Sequence, residues 1–147
     1  MATWREFERE APDLAAAVRE RFAARKHATL ATLRRDGSPR ISGTEVEFAG
    51  GEVVLGSMPG ALKARDLQRD PRLALHSPTV DPVEGQESDW PGEAKLAGRA
   101  VPKEDRADGA HLWTVDVAEA VLTRVEGDRL VIESWHPGRG YARRERS

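Results

Sequence analysis

A lysine near the start of a predicted helix is the side chain whose position most suggests chemistry. Residues 55–67 read LGSMPGALKARDL, so a strand ends at Ser57, the chain turns through Met58, proline and glycine, and a helix begins before Lys63. The first N–H groups of a helix lack internal partners and attract anions. A cation gains nothing there from the helix dipole, so a bound phosphate would account for Lys63. An ordinary turn followed by a surface lysine fits the same residues.

A second stretch combines small polar residues with a glycine inside a predicted strand. Residues 38–44 read SPRISGT, which places Ser42, Gly43 and Thr44 in succession. A glycine within a strand often marks the close approach of a ligand or of another backbone. A β-bulge or a crowded contact between subunits explains Gly43 equally well.

The remaining titratable residues indicate little direct catalysis. The four histidines do not pair at metal-ligand spacing, so we expect no metal site; His136, beside Trp135, has the best position for an active-site role. Glu45 and Glu47 share one strand face, and Glu45 would be a proton carrier if that face met a cofactor. Hydrolase, dinucleotide-binding and kinase motifs are absent from the sequence. No catalytic residue is therefore assigned.

The elements that must position these residues are mostly strands. Leu14, Val18 and Phe22 recur at spacing four and predict an amphipathic helix over 13–26. A second helix is predicted over 61–69, between the third and fourth strands. About seven short strands joined by Gly and Asp turns favour an antiparallel barrel or sandwich. The other predictions are a long loop over 78–92, one helical turn over 102–109 and an extended basic tail over 137–147.

Composition limits the possible functions. The 147 residues suit a single domain, and the absence of cysteine excludes disulfides and thiolate chemistry. The formal net charge is -2, so we expect no nucleic-acid partner. No apolar run is long enough to span a bilayer, and we expect no membrane association. The N-terminal segment lacks the apolar region of a secretory signal, which favours a cytoplasmic protein.

Several of these stretches, taken in order, resemble a known family. They are similar to the pyridoxamine 5'-phosphate oxidase-like, FMN-binding split-barrel superfamily. The similarity rests, in order, on residues 31–39 (ATLRRDGSP), on Ser57, Lys63, Leu67 and residues 70–72 (DPR), and on residues 96–100 (LAGRA). That superfamily includes flavin and deazaflavin oxidoreductases. The resemblance covers about residues 12–135 and implies a split β-barrel, mainly β with α, whose core spans about 12–136 of a single domain, 1–147.

The resemblance also implies a homodimer that binds two FMN cofactors at the subunit interface. Ser57, Met58 and Lys63 would lie at the cofactor phosphate and ring edge. Ser42, Gly43 and Thr44 would line the ring, and Trp135 and Arg139 would approach from the partner subunit. The family's basic pattern on the second strand is reduced here to Arg40, and the C-terminal substrate motif is matched only in composition. Pyridoxine phosphate is therefore not the expected substrate.

The function that the resemblance implies is a flavin-dependent oxidoreductase acting on a small molecule. Two alternatives stay open. The cofactor would be a deazaflavin coenzyme in a reductase, or the chain would be a non-enzymatic protein that binds flavin or haem through one of its histidines.

Overall fold

The computed structural model of the protein describes residues 1–104 and 109–147. These residues form three α-helices, α1 (Trp4–Glu10), α2 (Pro12–Ala23) and α3 (Leu62–Arg69), and a 3-10 turn at Glu87–Asp89. They also form eight strands: β1 (His27–Leu33), β2 (Pro39–Ala49), β3 (Glu52–Ser57), β4 (Arg72–His76), β5 (Glu93–Pro102), β6 (His111–Glu126), β7 (Arg129–His136) and β8 (Gly140–Arg146).

Six of the strands close into an antiparallel barrel. The sheet order is β3-β2-β1-β4-β5-β6-β7-β8, and a further pairing of β3 with β6 joins the ends of the first six strands. The 16-residue β6 pairs with β3 near its beginning and with β7 over its second half, so β7 and β8 extend the sheet beyond the barrel. This arrangement confirms the predicted mainly-β antiparallel barrel with an N-terminal helix and a helix between β3 and β4.

The N-terminal helices pack on an aromatic core. Thr3 caps α1 by accepting a hydrogen bond from the Glu6 amide, and Pro12 begins α2 where its missing N–H costs nothing. The Trp4 and Phe7 rings meet edge to face, with centroids 5.0 Å apart. The predicted apolar stripe of α2, which is Leu14, Val18 and Phe22, is buried against this core as expected.

Strand β2 presents different residues to its two sides. Thr44 is buried, and Val46 and Phe48 are half-buried and pack against the core. Gly43, Glu45 and Glu47 alternate with them and are exposed on the opposite side. Successive side chains of a strand point to opposite faces, so only this second set faces outward from the barrel.

Two predictions need correction. The predicted helix over 13–26 is shorter and spans Pro12–Ala23, because β1 already begins at His27. There are eight strands instead of about seven, since the predicted tail 137–147 contains β8. Positive φ at Gly138 and Gly140 makes the tight turn that folds β8 back onto β7.

The remaining segments agree in part with the sequence. The long loop 78–92 is present, with the 3-10 turn Glu87–Asp89 inside it. Half of the helical turn predicted over 102–109, residues 105–108, lies outside the described residues, and Pro102 belongs to β5 instead. None of the described helices has the length and apolar composition that crossing a membrane requires.

Candidate functional site

A cavity of about 570 Å³ opens on the outer side of the barrel, between β2, β3, the beginning of β6 and the segment that leads into α3. That volume is within the range of roughly 300–1,000 Å³ typical of small-molecule and cofactor sites. The residues that line it are His27, Gly43, Glu45, Glu47, Val54, Gly56, Ser57, Met58, Pro59, Lys63, Ala110, His111 and Leu112.

The beginning of α3 supplies backbone donors at one end of the cavity. Gly60, with φ 75°, turns the chain after β3, and Ala61 then caps the helix in an extended conformation without any side-chain hydrogen bond. The first helical bonds run from the amides of Ala64 and Arg65 to the Ala61 carbonyl. The amides of Leu62 and Lys63 come before them and point out of the helix start, where an anion is favoured.

Lys63 places an ammonium group at this helix start. Its Nζ donates a hydrogen bond to the carbonyl oxygen of Gly43 at 3.0 Å. Burial lowers the pKa of the Lys63 ammonium below its ordinary value, because the charged form loses solvation. No carboxylate within residues 1–104 or 109–147 forms an ion pair with it. Among the described residues, Lys63 is therefore a partly desolvated cation without an ion-pair partner.

Two glycines form the floor beside Lys63. A Cβ added to Gly43 would meet no atom within 4 Å, so that position faces open space in the cavity. Gly56 lies across the floor on β3, where a Cβ would reach ordinary contact with Leu112 at 3.6 Å. Neither glycine has a positive φ, so no backbone constraint requires glycine at either position. The missing side chains leave space for a flat group on the strands.

Comparison with known protein families shows the family to which this chain belongs. A family model described as pyridoxamine 5'-phosphate oxidase matches residues 14–134, which is most of the sequence. The chain belongs to the pyridoxamine 5'-phosphate oxidase family. The resemblance predicted from the sequence is thereby confirmed. No curated protein matches the sequence significantly.

Solved structures with the same fold include proteins named for different cofactors. An FMN-binding, pyridoxamine 5'-phosphate oxidase-related protein from Nostoc punctiforme is 9% identical, with a TM-score of 0.65 over 93% of this chain and 96% of that one. A haem-binding protein from Mycobacterium smegmatis is 22% identical, with a TM-score of 0.56 over 82% and 57%. An F420 reductase is 16% identical, with a TM-score of 0.50 over 67% and 91%. At these identities the matches show the fold alone.

Four of the predicted site residues of this family member lie together. Gly43, Ser57, Met58 and Lys63 all line the cavity. Ser57 is buried, and its hydroxyl donates to the Met58 carbonyl at 2.9 Å, which fixes the chain as it leaves β3. Met58 is 78% exposed, so its thioether forms part of the cavity rim.

The other four predicted site residues are not brought to the cavity. Ser42 and Thr44 flank Gly43 on β2, and the strand alternation turns them toward the barrel interior, so the three cannot line one surface. Trp135 is fully buried, stacks on Phe7 at 4.9 Å and donates from Nε1 to Glu10, so its ring belongs to the core. Arg139 lies exposed in the turn between β7 and β8.

The histidines at the cavity differ from the one that the sequence favoured. His136 forms an ion-pair contact with Glu119 at 2.8 Å, between β6 and β7 and outside the cavity. His27 and His111 line the cavity instead. His27 lies opposite Glu45 in the β1–β2 pairing, with 3.7 Å between Nε2 and Oε1. The Asp36-Gly37 turn between β1 and β2 was the signal that could have paired His27 with Glu45, because the turn sets the register of the two strands.

Asp66 is the site-related residue that sequence reasoning missed. It is 2% exposed, and its carboxylate accepts hydrogen bonds from Thr32 at 2.7 Å, from Arg40 at 2.7 Å and from Arg69 at 3.0 Å. Burial favours a higher pKa for Asp66, but the bonds from Arg40, Thr32 and Arg69 outweigh it and lower the pKa of the carboxyl. Asp66 is therefore a buried, fully bonded carboxylate behind the start of α3.

Proposed function

We propose that this chain binds FMN through the start of α3 and acts as a flavin-dependent oxidoreductase on a small molecule. The observation that carries the proposal is Lys63, a partly desolvated ammonium without a carboxylate partner among the described residues, beside the open amides of a helix start. An anion such as a phosphate would satisfy both groups at once.

The residues present fit the rest of such a cofactor. Gly43 and Gly56 leave a floor without side chains, and a Cβ at Gly43 would occupy the space that a ring needs. Met58 and Pro59 line the rim next to the helix start. The cavity is large enough for a drug-sized ligand. The match to an FMN-binding relative supports the same cofactor class.

Each cavity residue has a limited task in this proposal. When bound, a flavin supplies the hydride or electron transfer, and the protein supplies binding and orientation. Lys63 holds the anionic group at one end, and the glycine floor sets the plane of the ring. Glu45, 3.5 Å from the Lys26 ammonium and 3.7 Å from His27, could hold a proton at Oε1 for a substrate next to the ring.

We also propose that a second copy of the chain completes the cavity. Ile41, Met58 and Leu62 are large apolar side chains that are 75%, 78% and 53% exposed, and they lie on β2 and at the approach to α3. Exposed apolar groups on the elements that border an open cavity favour a protein interface there. The exposed position of Arg139 is compatible with its predicted approach from a partner subunit, whereas the buried ring of Trp135 is not.

Two alternative ligands have specific support. A deazaflavin coenzyme would use the same anion site, and an F420 reductase shares the fold. Haem would need an axial ligand; His27 and His111 are the histidines that line the cavity, and a haem-binding protein also shares the fold. In the haem case the chain would be a binding protein without a flavin reaction.

Parallel titrations of the purified protein with FMN, with the deazaflavin coenzyme and with haem test the proposal. Fluorescence reports the first two, and the Soret absorbance reports haem. Tightest binding of FMN supports a flavin-dependent oxidoreductase. A clear preference for deazaflavin identifies a reductase that uses that coenzyme, and saturable haem binding alone identifies a haem-binding protein. Failure to bind any of the three rejects the functional proposal and leaves the family assignment intact.

A further inference from the structure

We propose that Asp66 is a positioning residue for the anion site, acting through the orientation of α3. This inference rests on the proposed function, because it concerns how well the start of α3 holds a phosphate. Asp66 follows Lys63 by three residues, which is about one helical turn, so the two side chains lie on the same side of α3; Asp66 is buried and Lys63 lines the cavity.

The Asp66 carboxylate joins α3 to two strands. Its Oδ2 accepts from Thr32 Oγ1 on β1 and from Arg40 Nε on β2, each at 2.7 Å. Its Oδ1 accepts from Arg69 on the next turn of α3, at 3.0 Å. The Arg69 guanidinium also donates to the Leu33 carbonyl at the end of β1, at 2.8 Å. The Asp66 Oδ2 thus ties the helix directly to β1 and β2, and Oδ1 holds the Arg69 side chain that reaches the end of β1.

Strand β2 touches α3 at two separated points. Arg40 contacts Asp66, and the carbonyl of Gly43 contacts Lys63. The two β2 positions are roughly 10 Å apart along the strand, whereas the two α3 positions are roughly 4.5 Å apart along the helix. Two contacts at different spacings fix the angle of the helix to the strand as well as its distance.

That angle decides whether the anion donors converge. The Lys63 ammonium and the amides of Leu62 and Lys63 serve one anion only while the first turn of α3 is held against Gly43. Without the Asp66 contacts, α3 keeps its apolar anchors Ala64 and Leu67 but loses the polar bonds that set its rotation. The expected defect is specific to the phosphate and leaves the ring floor on β2 and β3 unchanged.

The test compares FMN with riboflavin, which has the same ring but no phosphate. The readout is the ratio of the two dissociation constants, measured by fluorescence titration of the full chain. We expect Asp66→Asn to weaken FMN binding about tenfold and to leave riboflavin binding unchanged. Thr32→Val removes one hydrogen bond to the same carboxylate without removing its charge. We expect this variant to bind FMN about threefold more weakly and riboflavin as well as wild type does. This second variant keeps the test valid if Asp66→Asn fails to fold.

Asp70→Asn is the matched control. Asp70 ends the same helix, and its carboxylate bonds to Arg72 without touching β1 or β2. The Asp70→Asn variant should keep the wild-type ratio of the FMN and riboflavin dissociation constants. Loss of the FMN preference in Asp66→Asn and Thr32→Val, but not in Asp70→Asn, supports the positioning role. A folded Asp66→Asn or Thr32→Val protein with the wild-type ratio overturns it. A wild-type chain that binds FMN no better than riboflavin overturns the proposed phosphate site as well, which separates the two failures.

Discussion

The Lys63 ammonium and the Gly43 carbonyl, 3.0 Å apart, join the start of α3 to the floor of the cavity. The contact brings the group best suited to hold a phosphate next to the position best suited to admit a flat ring. The hydrogen bond also keeps the partly desolvated ammonium ordered. The carbonyl oxygen satisfies only one of its three donors. The other donors are available to a ligand.

Replacing Lys63 with alanine should weaken FMN binding and spare riboflavin. A hydrogen bond to a charged group is worth about 1.5–3 kcal/mol, so the dissociation constant of FMN should rise by roughly tenfold to a hundredfold. Fluorescence titration with both ligands measures the change. Lys103→Ala is the matched control, because Lys103 pairs with Glu52 outside the cavity. Equal affinity of wild type and Lys63→Ala for FMN would reject the phosphate assignment.

Replacing Gly43 with leucine should block the ring and leave the fold stable. The new side chain would enter open space, and the φ of Gly43 is not in the left-handed region, so thermal unfolding should stay within a few degrees of wild type. FMN and riboflavin should both lose affinity, in contrast to Lys63→Ala. Gly43→Ala should give a smaller loss of the same kind. Unchanged riboflavin binding in the leucine variant would show that the ring lies elsewhere.

The lowered pKa of Asp66 predicts a pH-dependent contribution to stability. The Asp66 carboxyl has a pKa of about 3.9 in the unfolded chain and a lower pKa in the folded one. The ionised carboxylate therefore stabilises the fold above the unfolded pKa, and this stabilisation is lost as the pH falls through the folded pKa. Asp66→Asn should be less stable than wild type by about 3 kcal/mol near neutral pH, the scale of a broken buried ion pair. Urea unfolding at several pH values should show this difference shrinking below about pH 4. A difference independent of pH would contradict the account.

Replacing Ile41 with arginine should disrupt self-association. Ile41 is 75% exposed on the outer side of β2, and a buried unpaired charge is costly at an interface. Sedimentation equilibrium should give twice the chain mass for wild type and the chain mass for Ile41→Arg. Val83→Arg, at an apolar residue that is 61% exposed in the loop 78–92, should keep the wild-type mass. A wild-type protein with the mass of one chain at micromolar concentration would remove the proposed dimer.

The elements with a clear apolar period were predictable from the sequence. Leu14, Val18 and Phe22 define α2, and the Asp-Gly turn after β1 defines the first hairpin. Strand β8 was harder to predict because six of its seven residues are exposed and four are charged. Its stability depends on cross-strand contacts such as Arg129 with Glu145 at 2.6 Å and Tyr141 with Glu133 at 2.6 Å. Such pairs exist only after β7 and β8 align.

The candidate site was predictable only in part. Lys63 and Gly43 follow from local signals, a helix start and a glycine in a strand. The face of Thr44 could have been inferred from Val46 and Phe48, because alternating residues of a strand share a face. The burial of Trp135 depends on Phe7, 128 residues away, and the bond of Asp66 to Thr32 spans 34 residues. No local pattern encodes such distances.

A crystal structure of the protein bound to FMN would test the central claim most directly. The account predicts phosphate oxygens within hydrogen-bond distance of the Lys63 ammonium and of the amides that begin α3, with the ring over Gly43 and Gly56. Phosphate bound at another place, with the Lys63 ammonium still donating only to the Gly43 carbonyl, would contradict it.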